Sequence, residues 1–155
     1  MNAAESAFLG LVRAAGACMR GVERLLKRHG LTAAQYNILR ILRGAGERGA
    51  CGREIAGQLI TAEPDITRLL DRMEKRGLIA RQRDAKDRRF VTARITRSGL
   101  ETLAALDAPV AELHRRQLGS LSGAELKQLS AATEKLRAAL EHAAGPPELA
   151  SGPRR

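Results

Sequence analysis

The stretch "PDITRLLDRMEKRGLIARQRDAKDRRFVTARIT", Pro64 to Thr96, changes its period midway. Ile66, Leu69, Leu70 and Met73 recur at three- and four-residue steps, which predicts the buried stripe of a helix that Gly77 ends. Pro64 suits that helix's first turn, where a missing N–H is no loss. After the glycine, "LIARQR" and "FVTARIT" place Ile, Val, Thr and Phe in near-alternation on either side of a charged tip, which predicts a β-hairpin. The tip carries Arg83, Lys86, Arg88 and Arg89 together with Asp84 and Asp87. A turn needs only one or two special residues. Cations in this number call for a polyanion to face.

Upstream, "LTAAQY" reads as a helix start. Thr32 and Gln35 form a capping box, and Leu31 with Tyr36 form the hydrophobic staple. Ile38, Leu39, Ile41 and Leu42 carry that helix to "GAGERG". A short third helix, "GREIAGQL", is expected to bury Ile55, Ala56 and Leu59. The first helix runs from about Glu5 to His29 on a stripe that includes Phe8, Leu11, Val12, Met19, Val22 and Leu26. Downstream, Thr96 caps a fifth helix with the stripe Leu100, Leu103, Leu106, Val110 and Leu113, and Pro109 predicts a kink near Asp107. Ser122 with Glu125 opens a sixth helix, its stripe drawn from Leu126, Leu129, Leu136 and Leu140.

The expected fold is mainly α with a small β-hairpin wing, a winged helix-turn-helix flanked by N- and C-terminal helices. Residues 1–30 form a first dimerisation helix, 31–97 the winged domain, 98–144 the C-terminal dimerisation helices and 145–155 a flexible tail. The apolar stripes at the two ends exceed what one small core requires, so a homodimer is expected.

Charge supports the same reading. The chain of 155 residues has a net charge of +10, with +3 in residues 1–30, +2 in 31–60, +5 in 61–99 and 0 in 100–155. Half the excess falls on the helix and hairpin of the opening stretch, the footprint of a nucleic-acid partner. No apolar run reaches membrane length, and the N-terminus lacks a secretory pattern, so a cytoplasmic chain is expected. Cys18 and Cys51 show no disulfide pattern, and His29, His114 and His142 do not fall at metal-ligand spacing. No metal or other cofactor is implied, and no nucleophile elbow or phosphate-binding loop suggests an enzyme.

With the fourth helix buried on its Leu69 face, Pro64, Asp65, Thr67, Arg68 and Arg72 face outward, and helix N-termini in the major groove meet base edges. Arg68 is the candidate for a bidentate guanine contact. Arg72 and Arg53 are placed for phosphate, and Asp65 also stabilises the helix start. The competing reading, a solvated face with pairs such as Asp71–Lys75, makes no use of the basic hairpin beside it.

The segments "LTAAQYNILRIL", "EIAGQL", "PDITRLLDRMEKRGLIARQRD", "DRRFVTARIT" and "TRSG" together resemble the MarR family of bacterial transcription regulators. The resemblance implies a homodimer held by the first and last helices, binding double-stranded DNA at a pseudo-palindrome, commonly as a repressor released by a small-molecule effector. It also implies that Asp87 orients an arginine entering the minor groove, with Arg88 and Arg89 as candidates. A family-like ligand pocket would fall around Val12, Met19, His29 and Tyr36. Some relatives sense oxidants through a cysteine near the start of the first helix, paired with tyrosines. Cys18 lies further along, and Tyr36 is the only tyrosine. Two runner-up readings are a thiol-based redox-sensing repressor and an architectural DNA- or RNA-binding protein without sequence preference.

Overall fold

The computed structural model describes residues 2–83 and 91–144. The expected wing-tip residues Asp84, Lys86, Asp87, Arg88 and Arg89, and the expected tail 145–155, lie outside the described residues.

The elements follow in the order α1 (Ala3–Arg28), α2 (Ala33–Ala45), a 3-10 turn (Gly46–Arg48), β1 (Ala50–Cys51), α3 (Gly52–Gln58), α4 (Ile66–Lys75), β2 (Ile79–Arg83), β3 (Val91–Ile95), α5 (Arg97–Gln117) and α6 (Gly123–Ala144). The chain divides after His114 into two compact units, and α6 belongs to the second. The arrangement is mainly helical, with a small antiparallel wing and flanking helices.

Local chemistry sets most helix starts. Thr32 Oγ1 accepts from Gln35 N–H at 3.2 Å while Gln35 Oε1 accepts from Thr32 N–H at 3.1 Å, the expected capping box. Ser122 and Glu125 repeat it at α6. At α1 the cap is Asn2, paired reciprocally with Glu5, so the helix begins before the expected Glu5. Pro64 departs from expectation as well. Asp65 is the N-cap of α4, its Oδ1 accepting from Arg68 N–H at 3.0 Å, so the proline precedes the helix instead of entering its first turn. A carboxylate that accepts an otherwise unpaired amide outcompetes proline's neutral fit.

The core of the first unit is built from Leu26 of α1, Ile38, Leu39 and Leu42 of α2, Ile55 of α3, Leu69, Leu70 and Met73 of α4, and Leu103 and Leu106 of α5. Two positions of the expected stripes stay outside it: Ala56 and Leu100 are exposed. α5 continues through Pro109 as one helical element.

The hairpin belongs to a three-stranded sheet of order β1-β3-β2, in which β1 was not anticipated. Ala50 pairs with Ala93, and Ile79 to Arg83 pair in register with Ile95 to Val91. Two glycines fix how the chain enters and leaves this sheet. At Gly77 (φ +70°), Gly77 N–H donates to Glu74 C=O and Leu78 N–H to Met73 C=O, a Schellman turn from α4 into β2 over the buried Leu78 and Met73. At the exit, Thr96 Oγ1 accepts from Gly99 N–H at 3.0 Å and donates to Gly77 C=O at 2.6 Å. A Cβ on Gly99 would lie 2.1 Å from the Leu78 carbonyl oxygen, so α5 packs on the turn only because that side chain is absent. The "TRSG" motif is thus a clasp between the two ends of the wing.

Candidate nucleic-acid interface

α4 buries Leu69, Leu70 and Met73 and turns Thr67, Arg68, Arg72 and Lys75 to solvent. Asp65 does two jobs at its start: it caps the helix through Arg68 N–H and pairs with the Arg68 guanidinium at 3.1 Å. The Arg68 side chain is 83% exposed, so this pair orients it without hiding it. Asp65, Arg68, Asp71, Arg72 and Lys75 line one depression on this face. Arg53 is exposed near the start of α3, and Pro64 is exposed just ahead of α4. Of the wing candidates, Arg83 is described; it ends β2 and is exposed.

The wing is tied to α4 by a residue that sequence reasoning passed over. Arg81 on β2 donates from Nε to Glu74 Oε2 at 2.9 Å, from Nη2 to Asp71 Oδ1, and from its backbone N–H to Glu74 Oε1 at 2.9 Å. Its side chain is only 22% exposed. These bonds hold the Glu74 carboxyl below the usual carboxylate range. Asp71 therefore pairs with Arg81 rather than with Lys75, and these bonds tie the hairpin root to α4. The available signal was two acids three residues apart on one helix face, followed beyond a tight turn by an arginine. Arg94 braces the far side of the sheet, donating to the Glu47 carbonyl at 2.5 Å and to Gln82 Oε1 at 3.0 Å.

Behind α4 lies a cavity of about 420 Å³ within the first unit. Met19 and Val22 of α1, Tyr36 and Arg40 of α2, and Leu69 and Arg72 of α4 line it, along with the α3–α4 connection. Met19 and Tyr36, expected in a pocket, are brought together here. Val12 and His29 are not among its lining residues: Val12 is exposed on α1, and His29 is the C-cap of that helix. Tyr36 is buried, which pushes its hydroxyl above the ordinary value, and the Arg40 guanidinium lies 5.9 Å from its ring centre. Cys18 and Cys51 are each partly buried, on α1 and β1 respectively. Among the described residues there is no group of acids, cysteines and histidines able to hold a metal ion, and no helix long and apolar enough to cross a membrane.

Comparison with known proteins places this arrangement. The MarR family profile matches residues 31–91, from the start of α2 into β3. The chain is 30% identical over 123 residues to the HTH-type transcriptional repressor IacR of Pseudomonas putida, covering 79% of this chain and 72% of that protein. The crystal structure of a MarR transcription factor from Planctomyces limnophilus superposes with a TM-score of 0.69 at 39% identity, covering 86% of this chain and 97% of that one. A MarR family transcriptional regulator from Streptomyces coelicolor, solved in complex with DNA, shares the fold at a TM-score of 0.82 and 21% identity, covering 96% and 92% of the two chains. On the winged-helix topology, the matched segment and these likenesses together, the chain belongs to the MarR family of transcription regulators and is not an enzyme.

Proposed function

We propose that the chain acts as a homodimeric, ligand-responsive repressor that binds a pseudo-palindromic operator. The observation that carries this reading is the outer face of α4. Arg68, Arg72 and Lys75 stand exposed on a helix whose start is capped and whose flank is clamped to the wing. A helix held in this way enters the major groove as a rigid reader, with Arg68 suited to guanine O6 and N7, and Asp65 and Thr67 beside it. Arg72 and Arg53 meet phosphate, while Arg83 and the cations at 86, 88 and 89 bring the wing to the adjoining groove. Asp87 would orient whichever arginine enters it.

Residues 1–30 and 98–144 supply the dimer contacts in this reading. Phe8 is 64% exposed and Val12 52% exposed, apolar surface on α1 that a second copy would cover. The cavity behind α4 receives the effector, and its occupation alters DNA affinity. The relative IacR is named a repressor, which favours that sign of control here.

Selection from a random duplex pool, followed by footprinting, tests the core of the reading. The expected result is a protected pseudo-palindrome with half-sites about 10 bp apart. The slope of log K against log salt should be of order −6 to −9 for a dimer neutralising about three to five phosphates per subunit. Uniform protection without sequence preference would transfer the protein to an architectural role.

A further inference from the structure

Of the three cations on the outer face of α4, one is held. Among the described residues Arg72 and Lys75 have no carboxylate partner, whereas Arg68 has Asp65. Asp65 Oδ1 accepts from the Arg68 backbone N–H at 3.0 Å, and Oδ2 lies 3.1 Å from Nε of the same residue. Nη1 and Nη2 make no hydrogen bond among the described residues, so the guanidinium offers its far edge, a fork of donors, to solvent. The helix start does not explain an acid at this position. Asn and Ser cap a helix as Asp does, without its charge. A carboxylate in the depression that holds Arg68, Arg72 and Lys75 weakens attraction to every duplex. The other acid there, Asp71, is engaged by Arg81.

We propose that Asp65 is the positioning residue that makes Arg68 a reader of guanine instead of a binder of phosphate. The inference rests on the reading of α4 as the DNA-facing helix and names what sets that helix's selectivity. A free guanidinium accepts either target, because guanine O6 and N7 and the oxygens of a phosphate each offer two acceptors to one fork. Asp65 separates the two targets in two ways. Its hold on Nε fixes the direction of the fork, so the side chain is ordered before DNA arrives. Its charge repels a phosphate drawn to the same fork, while guanine carries no net charge to repel. In water an exposed pair of this kind is weak, but a base edge that excludes water from it strengthens it. Arg72 and Lys75, with no such partner, follow the backbone.

Asp65→Asn tests this, because its oxygen keeps the cap while its NH2 group only donates and so releases Nε. Asp71→Asn is the control: it removes the same charge from the same depression, but from an acid paired with Arg81 and not with Arg68. Both are compared with the parent on an operator selected from a random duplex pool and on variants of the base pair where Arg68→Ala relaxes preference. Affinity for a random-sequence duplex is measured across a salt titration, because a phosphate contact is independent of sequence. Asp65→Asn should lose about 3- to 10-fold of the discrimination at that base pair. On the random duplex its slope against log salt should be steeper than that of Asp71→Asn by roughly one per subunit, as Arg68 moves to phosphate. Asp71→Asn should keep the parent's discrimination. Full discrimination in Asp65→Asn, or a slope no steeper than the control's, overturns the proposal. So does an equal loss in Asp71→Asn, which is an effect of charge alone. If thermal melting shows Asp65→Asn unfolded, Asp65→Ser, which also caps, gives the same readout. An Arg68→Ala protein with the parent's preference at every base removes the reading of α4 itself; preference lost in Arg68→Ala but kept in Asp65→Asn removes only the role of Asp65.

Discussion

α1 is a single helix with two different halves. Toward its C-terminus Gly21 and Leu26 are buried, and Val22 and Leu25 pack against the core. Toward its N-terminus Phe8, Leu9, Leu11 and Val12 are all exposed. The apolar spacing is the same along the whole helix, so spacing does not decide which half the chain covers for itself. α6 resembles the uncovered half: Leu129, Leu136 and Leu140 are exposed. The winged region between them is the reverse case, with Ile38, Leu39, Ile55, Met73 and Ile79 fully buried and its helices and strands cross-braced. The winged region's core is closed by side chains of the same chain, Leu26 of α1 and Leu103 and Leu106 of α5 among them, whereas the open stripes stay exposed.

That contrast is broken most directly by charging the open stripes. Phe8→Glu combined with Leu136→Glu should leave the winged region intact, because neither side chain belongs to its core. Sedimentation should show the mass falling from twice to once the 16.7 kDa of the chain. Operator affinity should fall on the order of 100-fold or more, since a monomer loses the effective concentration that linking two half-sites provides. A variant that stays dimeric would show that other residues hold the subunits together.

The covered side of the contrast is broken by a single methyl group. Gly99→Ala places a Cβ against the Leu78 carbonyl, a backbone atom with no rotamer to escape into. Thermal unfolding should show a loss of roughly 1–3 kcal/mol. Thr96→Ala removes the cap and the bond to Gly77 C=O, and should cost about 1 kcal/mol. If Gly99→Ala melts with the parent, the clasp between the wing's two ends is looser than its geometry indicates.

What could be read from the sequence follows the reach of each interaction. The capping boxes at Thr32 and Ser122 span three residues, and both were visible at once. The core faces of α2 and α4 were visible because their stripes meet partners from the same chain. Arg81 was not, because its partners are set by the register of the hairpin against the helix, which no local pattern encodes. β1 was missed for the same reason: two residues become a strand only through Ala93 and Thr92. Leu100 and Ala56 had helical spacing but no facing surface. Within the cavity, Met19 and Tyr36 were separable from Val12 only once the crossing of α1 and α2 was known. The outward placement of Thr67, Arg68 and Arg72 was legible because it follows from which face of α4 is buried.

Two arginines on adjoining elements sharpen the division between reading and bracing. Arg68→Ala should cost about 1–3 kcal/mol at one base position and relax preference there. Arg81→Ala should leave base preference unchanged. It removes one cation and frees Asp71 and Glu74 beside DNA, so binding to all sequences should weaken by a few fold. Competition binding against single-base operator variants separates the two, and loss of preference in Arg81→Ala would make the clamp part of the readout.

The smallest expected effect lies in acid, at the turn before α3. Glu54 accepts from the Arg48 guanidinium at 2.7 Å and from Cys51 N–H at 2.8 Å, and these bonds lower its carboxyl from 4.5 to about 2. A carboxyl depressed in the folded state contributes stability that is complete above the unfolded value and disappears as pH falls through the folded one. The window is therefore pH 4.5 down to about 2. Glu54→Gln should melt below the parent at neutral pH, with the gap closing across that window until the two coincide near its lower end. Because Arg48 and Glu54 are both open to solvent, raised salt should shrink the part of the gap owed to Arg48 and spare the part owed to the Cys51 amide. A gap that stays constant with pH would mean that the carboxylate's charge adds nothing to this turn.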